Sequence, residues 1–247
     1  MIDRESRFLD AIRRVVGLDA SDSGIGTLRE KSMHRILKIY LEPRDEFHEI
    51  KYLGKICDIK NENGIFEIQT RSLDRLSQKL SVFLKENKVT VVLPLSEEKR
   101  IKWLNKETGE LSEGRKSPRR EGICDALREL YKIRGYLTDP NLRIKLVILK
   151  TEEYRYLNGW DRSGKRGSTR IERIPTELLS EIDINCANDY KKMIPDSLSS
   201  EFTVNEFVEC TGCKRKISSY VIGTLVAAKV IEHIGKRGRA FLYRIKE

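Results

Sequence analysis

Lys55-Ile56-Cys57-Asp58-Ile59-Lys60-Asn61-Glu62-Asn63-Gly64-Ile65-Phe66-Glu67-Ile68-Gln69 is the stretch that decides the fold. Two β-type runs flank Asn63-Gly64, the strongest short signal for a two-residue hairpin loop. That loop sets Asp58 opposite Gln69 and Lys60 opposite Glu67. Strand alternation then gathers Asp58, Lys60, Glu67 and Gln69 on one face and Cys57, Ile59, Phe66 and Ile68 on a core face. Two carboxylates a few ångströms apart repel unless a cation is shared between them. Hard oxygen ligands on a hairpin suit Mg²⁺ (or Mn²⁺), which keeps waters and an open position for a phosphate. Such an ion polarises a phosphodiester and helps to make a hydroxide nucleophile. The competing reading is an exposed hairpin face carrying a Lys60–Glu67 cross-strand pair.

Outward from the hairpin the pattern is regular. Leu28, Met33, Ile36, Leu37, Tyr40 and Leu41 form a helical stripe that Pro43 ends. Strands are expected at about 47–53, 55–61 and 65–71. A helix follows from Ser72 as N-cap through Leu84, and then a buried strand over Val89–Leu93. Beyond it the sequence predicts a hairpin within 99–112, a helix over 122–137 and a buried strand at Ile144–Leu149. Before it stand a short amphipathic helix over 5–17 and a linker over 19–26.

The order helix, three strands, helix, strand over 27–95 is similar to the α/β core of the restriction-endonuclease-like fold. Asp58 followed by Glu67-Ile68-Gln69 resembles the signature of that PD-(D/E)xK nuclease superfamily. The resemblance implies that Asp58 and Glu67 ligate the metal and that Glu30 on the preceding helix completes the set. Gln69 stands where the family has Lys and would orient the attacking water, with Lys60 as a substitute ammonium. Cys57 replaces the family's Pro. Glu30 also completes a capping box with Thr27. Family chemistry would leave a 5′-phosphate and a 3′-hydroxyl.

The chain has 48 Lys plus Arg against 38 Asp plus Glu, a net charge of +10, which points to a polyanionic partner with DNA first. Two basic stretches, Arg115–Arg120 and Arg162–Arg173, join cations to Gly and Ser that can follow a phosphate backbone, Arg166 and Arg170 among them. Trp160 beside the second could stack on a base. The tail reads as a winged helix-turn-helix. Thr203 caps a helix over Val204–Cys210, Thr211-Gly212 turns, and a recognition helix presents Arg215, Lys216 and Ser219. Its wing carries Lys236, Arg237 and Arg239. Cys210-Thr211-Gly212-Cys213 supplies two thiols, where a structural zinc needs four ligands.

The expected organisation is an N-terminal helix and linker (1–26), a restriction-endonuclease-like nuclease domain (27–184) and a winged helix (185–247). Five cysteines without framework spacing and no long apolar run point to a cytoplasmic protein outside the membrane. The partners are DNA and, where the protein dimerises, a second copy of the chain. The alternative is a non-catalytic DNA-binding regulator in which a decayed nuclease fold serves as scaffold.

Overall fold

The computed structural model describes residues 3–22, 32–159 and 168–246. Its helices are α1 (Arg4–Asp22), α2 (Ser32–Leu41), α3 (Ser77–Phe83), α4 (Ile123–Leu130), α5 (Val204–Thr211) and α6 (Arg215–Ala227). Its strands are β1 (His48–Tyr52), β2 (Lys55–Asn61), β3 (Gly64–Ile68), β4 (Val89–Leu104), β5 (Arg115–Lys116), β6 (Leu142–Tyr156), β7 (Arg170–Ile184), β8 (Glu201–Thr203), β9 (Ile231–Arg237) and β10 (Ala240–Ile245). The protein is α/β with a mixed seven-stranded sheet in the order β1-β2-β3-β4-β6-β7, β5 pairing with β4. A second, three-stranded sheet runs β8-β10-β9. Strands β2 and β3 are antiparallel, whereas β3 and β4 are parallel. A parallel pair needs a crossover, and α3 lies in it.

Contacts divide the chain into two compact units. The first comprises Met1–His48, Pro94–Glu121 and Val147–Ser180, the second Glu49–Leu93, Gly122–Leu146 and Glu181–Glu247. In the first unit α1 packs on α2. Phe8, Ala11, Val15, Ile36 and Leu37 are buried, and the Phe8 ring meets Tyr40 edge-on at 5.2 Å. Helix α1 runs on to Asp22, so the start of the expected linker is helical. The basic stretch 115–120 is not all loop: Arg115 and Lys116 pair with Ile101 and Arg100, and Ser117 is buried. Strand β7 has no counterpart in the sequence expectations, because Arg170, Glu172 and Arg173 carry charge where a strand normally alternates.

In the second unit the core gathers Cys57, Ile59, Ile65, Leu80, Phe83, Val89 and Val91. Helix α3 starts at Ser77 rather than at Ser72. The Ser72 hydroxyl instead donates to the Asp74 carboxylate and accepts from Lys132, which holds residues 72–74 in a turn ahead of the helix. Thr203 caps α5 as expected, in a capping box with Glu206, and Gly212 ends the helix with a φ of 65°. Helix α6 lies on α4. The Thr224 hydroxyl donates to the Leu127 carbonyl at 2.7 Å, and Gly223 lets Tyr131 approach so closely that a Cβ there would stand 2.7 Å from its ring.

Candidate functional site

The β2–β3 turn is built on Asn61. Its Oδ1 accepts the Asn63 N–H at 2.9 Å, so Glu62-Asn63 forms the loop and Asn61 pairs with Gly64. Gly64 is required there: its φ is 115°, and a Cβ would sit 2.4 Å from the Lys88 carbonyl oxygen. Lys60 therefore faces Ile65, not Glu67, and Ile59 faces Phe66. One further step of this register sets Asp58 across from Glu67 rather than Gln69. The correction is a slip of two residues, which exchanges partners and leaves the alternation unchanged. Burial does not follow the expected faces, since Ile65 and Glu67 are fully buried and Phe66, expected on the core face, is half-buried.

The ladder gives way just where the two acids stand. The Asp58 carboxylate accepts the Ile68 N–H through Oδ2 at 2.6 Å, so a side chain takes up a main-chain donor of β3. Glu67 is wholly buried, and the Lys79 ammonium of α3 donates to both its oxygens, at 3.0 and 2.8 Å. Burial, then the Glu67 carboxylate, pushes the Cys57 thiol up to about 11; its Sγ donates to the Ile50 carbonyl. Gln69 is half-buried and pins β3 to β4 through its own N–H and the Val92 carbonyl. Lys60 lies over the Tyr52 ring, 4.7 Å from its centroid. The ammonium that bonds Glu67 is thus Lys79. Sequence reasoning missed it, although its place between Leu76 and Phe83 puts it beside the apolar stripe of α3.

A second polar cluster, also missed, sits in the first unit around Glu153, which is 1% exposed. Arg155 hydrogen-bonds one of its oxygens, while Lys99, Arg173 and Arg170 stand 3.4, 3.6 and 3.8 Å from the other. Burial works to raise the Glu153 pKa, but the Arg155 hydrogen bond and the charges of Lys99, Arg155 and Arg173 outweigh it and hold the group below its ordinary value.

The basic residues of the tail divide by contact. Arg215 bonds the Asn205 side chain, Arg237 donates to Glu206 at 2.8 Å, and Lys236 lies over the Phe241 ring. Lys216 and Ser219 are exposed on α6. Arg215, Ser219 and Arg239 line a groove of about 710 Å³ with Phe241 and Tyr243, residues that the sequence did not single out. Cys213 is buried, while Cys210 is exposed beside the Ser197 hydroxyl at 3.2 Å. Glu30, Trp160 and Arg166 lie outside the described residues.

Among the described residues no group of three or more His, Cys, Asp or Glu side chains is arranged around a metal position. Asp58 and Glu67 nevertheless supply the donor chemistry a hard divalent ion takes, carboxylate oxygens from neighbouring strands. Glu67 already holds a cation, the Lys79 ammonium.

The profile of a family described as Domain of unknown function (DUF8091) matches residues 31–185. A protein of Treponema pallidum (strain Nichols), described as an uncharacterized protein, is 29% identical over 222 residues, 89% of this chain and 87% of its own. No solved structure matches.

Proposed function

The chain belongs to the family of the domain of unknown function DUF8091, and for this member we propose metal-dependent hydrolysis of DNA phosphodiesters, positioned by a C-terminal winged helix. One observation carries the reading. Extended by one step, the β2–β3 register sets the carboxylates of Asp58 and Glu67 across from each other at the end of the ladder, where Asp58 accepts the Ile68 N–H and the Lys79 ammonium bonds Glu67. The element order α2-β1-β2-β3-α3-β4, with β3 and β4 parallel, supports it, being the order of the restriction-endonuclease-like core. The α5–α6 pair followed by the β9–β10 hairpin supports the winged helix in the same way.

A Mg²⁺ or Mn²⁺ ion held by Asp58 and Glu67 would supply an activated water and a polarised phosphate. The chain's own residues do the rest. The bond from Ile68 N–H fixes one oxygen of Asp58. Lys79 supplies the positive charge that Gln69 cannot, close to where negative charge develops. Gln69, neutral and half-buried, orients by hydrogen bonds.

The closed Glu67–Lys79 pair is also what a retired active site would keep as a purely structural ion pair, and it favours the scaffold reading as the second choice. Cleavage of plasmid and single-stranded DNA with Mg²⁺, Mn²⁺ or EDTA separates the two. The nuclease reading expects metal-dependent cleavage by the wild type and none by Asp58→Ala. An inactive wild type across substrates and metals leaves the scaffold.

A further inference from the structure

The groove between α6 and the β9–β10 hairpin is built unlike a surface that only meets phosphates. Its lining includes Arg215, Arg239 and His233 but no carboxylate, and its floor is apolar: Ile222, Val226, Phe241 and Tyr243. Phe241 is 52% exposed and Val226 40%, although both belong to a well-packed unit. An irregularity of the hairpin arranges the aromatic wall. Phe241 pairs with Lys236 and Tyr243 with His233, so β9 carries one extra residue between them, at Ile234-Gly235. Without it, alternation would send His233 and Lys236 to opposite faces; with it, both join the face of Phe241 and Tyr243. Gly235 takes the φ of 141° that this bulge needs. His233 then meets both aromatic rings edge-on, at 5.2 and 5.6 Å, and Tyr243 stacks on the buried Phe202. The wall is rigid at its base, and at Phe241 it is half exposed, with the Lys236 ammonium over the ring 5.5 Å from its centroid.

We propose that this groove is a binding site for an unpaired nucleobase of single-stranded DNA, stacked against Phe241 and seated between the hairpin and α6. The apolar floor and exposed ring suit a flat heterocycle, whereas an intact duplex keeps its bases stacked on each other. The flanking phosphates would meet Arg215 and Arg239, with Lys236 beside the ring. A volume of about 710 Å³ is in the range of sites that enclose a nucleotide-sized ligand. The inference rests on the DNA-acting reading and narrows it: the preferred substrate is a duplex with a single-stranded tail or gap, not a blunt duplex.

The test is fluorescence anisotropy of the full chain with labelled blunt duplex, tailed duplex and single strand, for wild type and Phe241→Ala, with no added metal. The proposal expects the wild type to prefer the tailed and single-stranded forms and Phe241→Ala to lose about tenfold on those forms alone, while Phe241→Trp keeps the preference. Equal affinity for blunt and tailed duplex, unmoved by Phe241→Ala, overturns the base site and leaves DNA binding standing. Binding to none of these DNAs, with an acidic peptide bound instead, overturns the DNA reading as a whole. Should Phe241→Ala not fold, a 2-aminopurine base in the tail gives the second reading on wild-type protein: quenching on binding supports insertion against the ring, and unchanged emission overturns it.

Discussion

The Lys79 ammonium reaches across from α3 to both carboxylate oxygens of Glu67, which has no exposed surface of its own. Removing the cation strips a buried charge of the ammonium that bonds both its oxygens. Lys79→Met should therefore cost about 3 kcal/mol in urea unfolding, and Lys79→Met/Glu67→Gln should recover most of it. Equal stabilities for the single and double variants would mean that the pair carries no coupling. In the nuclease reading Lys79→Met also lowers cleavage, even under conditions where the variant is fully folded.

Asp58 has a structural duty beside the chemical one proposed for it, because it accepts the Ile68 N–H at 2.6 Å. Asp58→Ala orphans that donor and should cost about 2 kcal/mol, whereas Asp58→Asn keeps an acceptor and costs less. In the nuclease reading both variants should lose metal-dependent cleavage and keep their DNA affinity. Stability from denaturant titration and affinity from anisotropy separate the two duties.

At Gly64 the backbone and its surroundings agree. Gly64→Ala meets both a positive φ and the Lys88 carbonyl oxygen at 2.4 Å, so the hairpin must shift. The expected loss is about 1–3 kcal/mol by thermal or urea unfolding. An alanine tolerated without loss would show that the loop is not held as described.

Glu153 sets an acid limit. Its folded pKa lies below the ordinary value of 4.5 because the Arg155 hydrogen bond and three neighbouring cations outweigh burial. A depressed carboxylate contributes stability that is complete above the unfolded pKa and is lost as pH falls through the folded one. Stability measured from pH 6 downward should begin to fall at about pH 5. In Glu153→Gln that part of the acid limb should be missing, while stability at neutral pH drops by about 3 kcal/mol.

The tail is best probed by charge rather than by truncation. Deleting it would strip α6 from α4, where Ala126, Leu127 and Leu130 are buried. Lys216→Glu and Arg239→Glu each remove one cation from the surface. Together they should lower the slope of log affinity against log salt by about 1–2 if both meet phosphates. An unchanged slope would assign this face to a protein partner.

The α/β class and the succession of β2, β3 and the strand at Val89–Leu93 were legible because their apolar patterns, like the cap at Thr203, are local signals. The hairpin register was not: the Asn61 side chain takes the Asn63 N–H, so Glu62-Asn63 becomes the loop, and Gly64 serves the close approach to the Lys88 carbonyl, a neighbour distant in sequence. Strand β7 was hidden by charges that are neutralised only in three dimensions, Arg173 by Glu121 and Glu153. Lys79 escaped for the same reason. Its partner lies twelve positions away on a strand, beyond the reach of helical spacing.

Because the acids sit on strands whose faces recur every second residue, the hairpin has a reading frame of its own. Loss of the single codon for Ile65 would carry Phe66 to the face of the acids and turn Glu67 to the opposite one, away from Lys79, and in the nuclease reading it would silence the site in a chain of almost unchanged length. Loss of a second neighbouring codon would return the carboxylate to its side. If the proposed site is active, the first deletion should behave in a genetic screen as a null allele and the second as its intragenic suppressor.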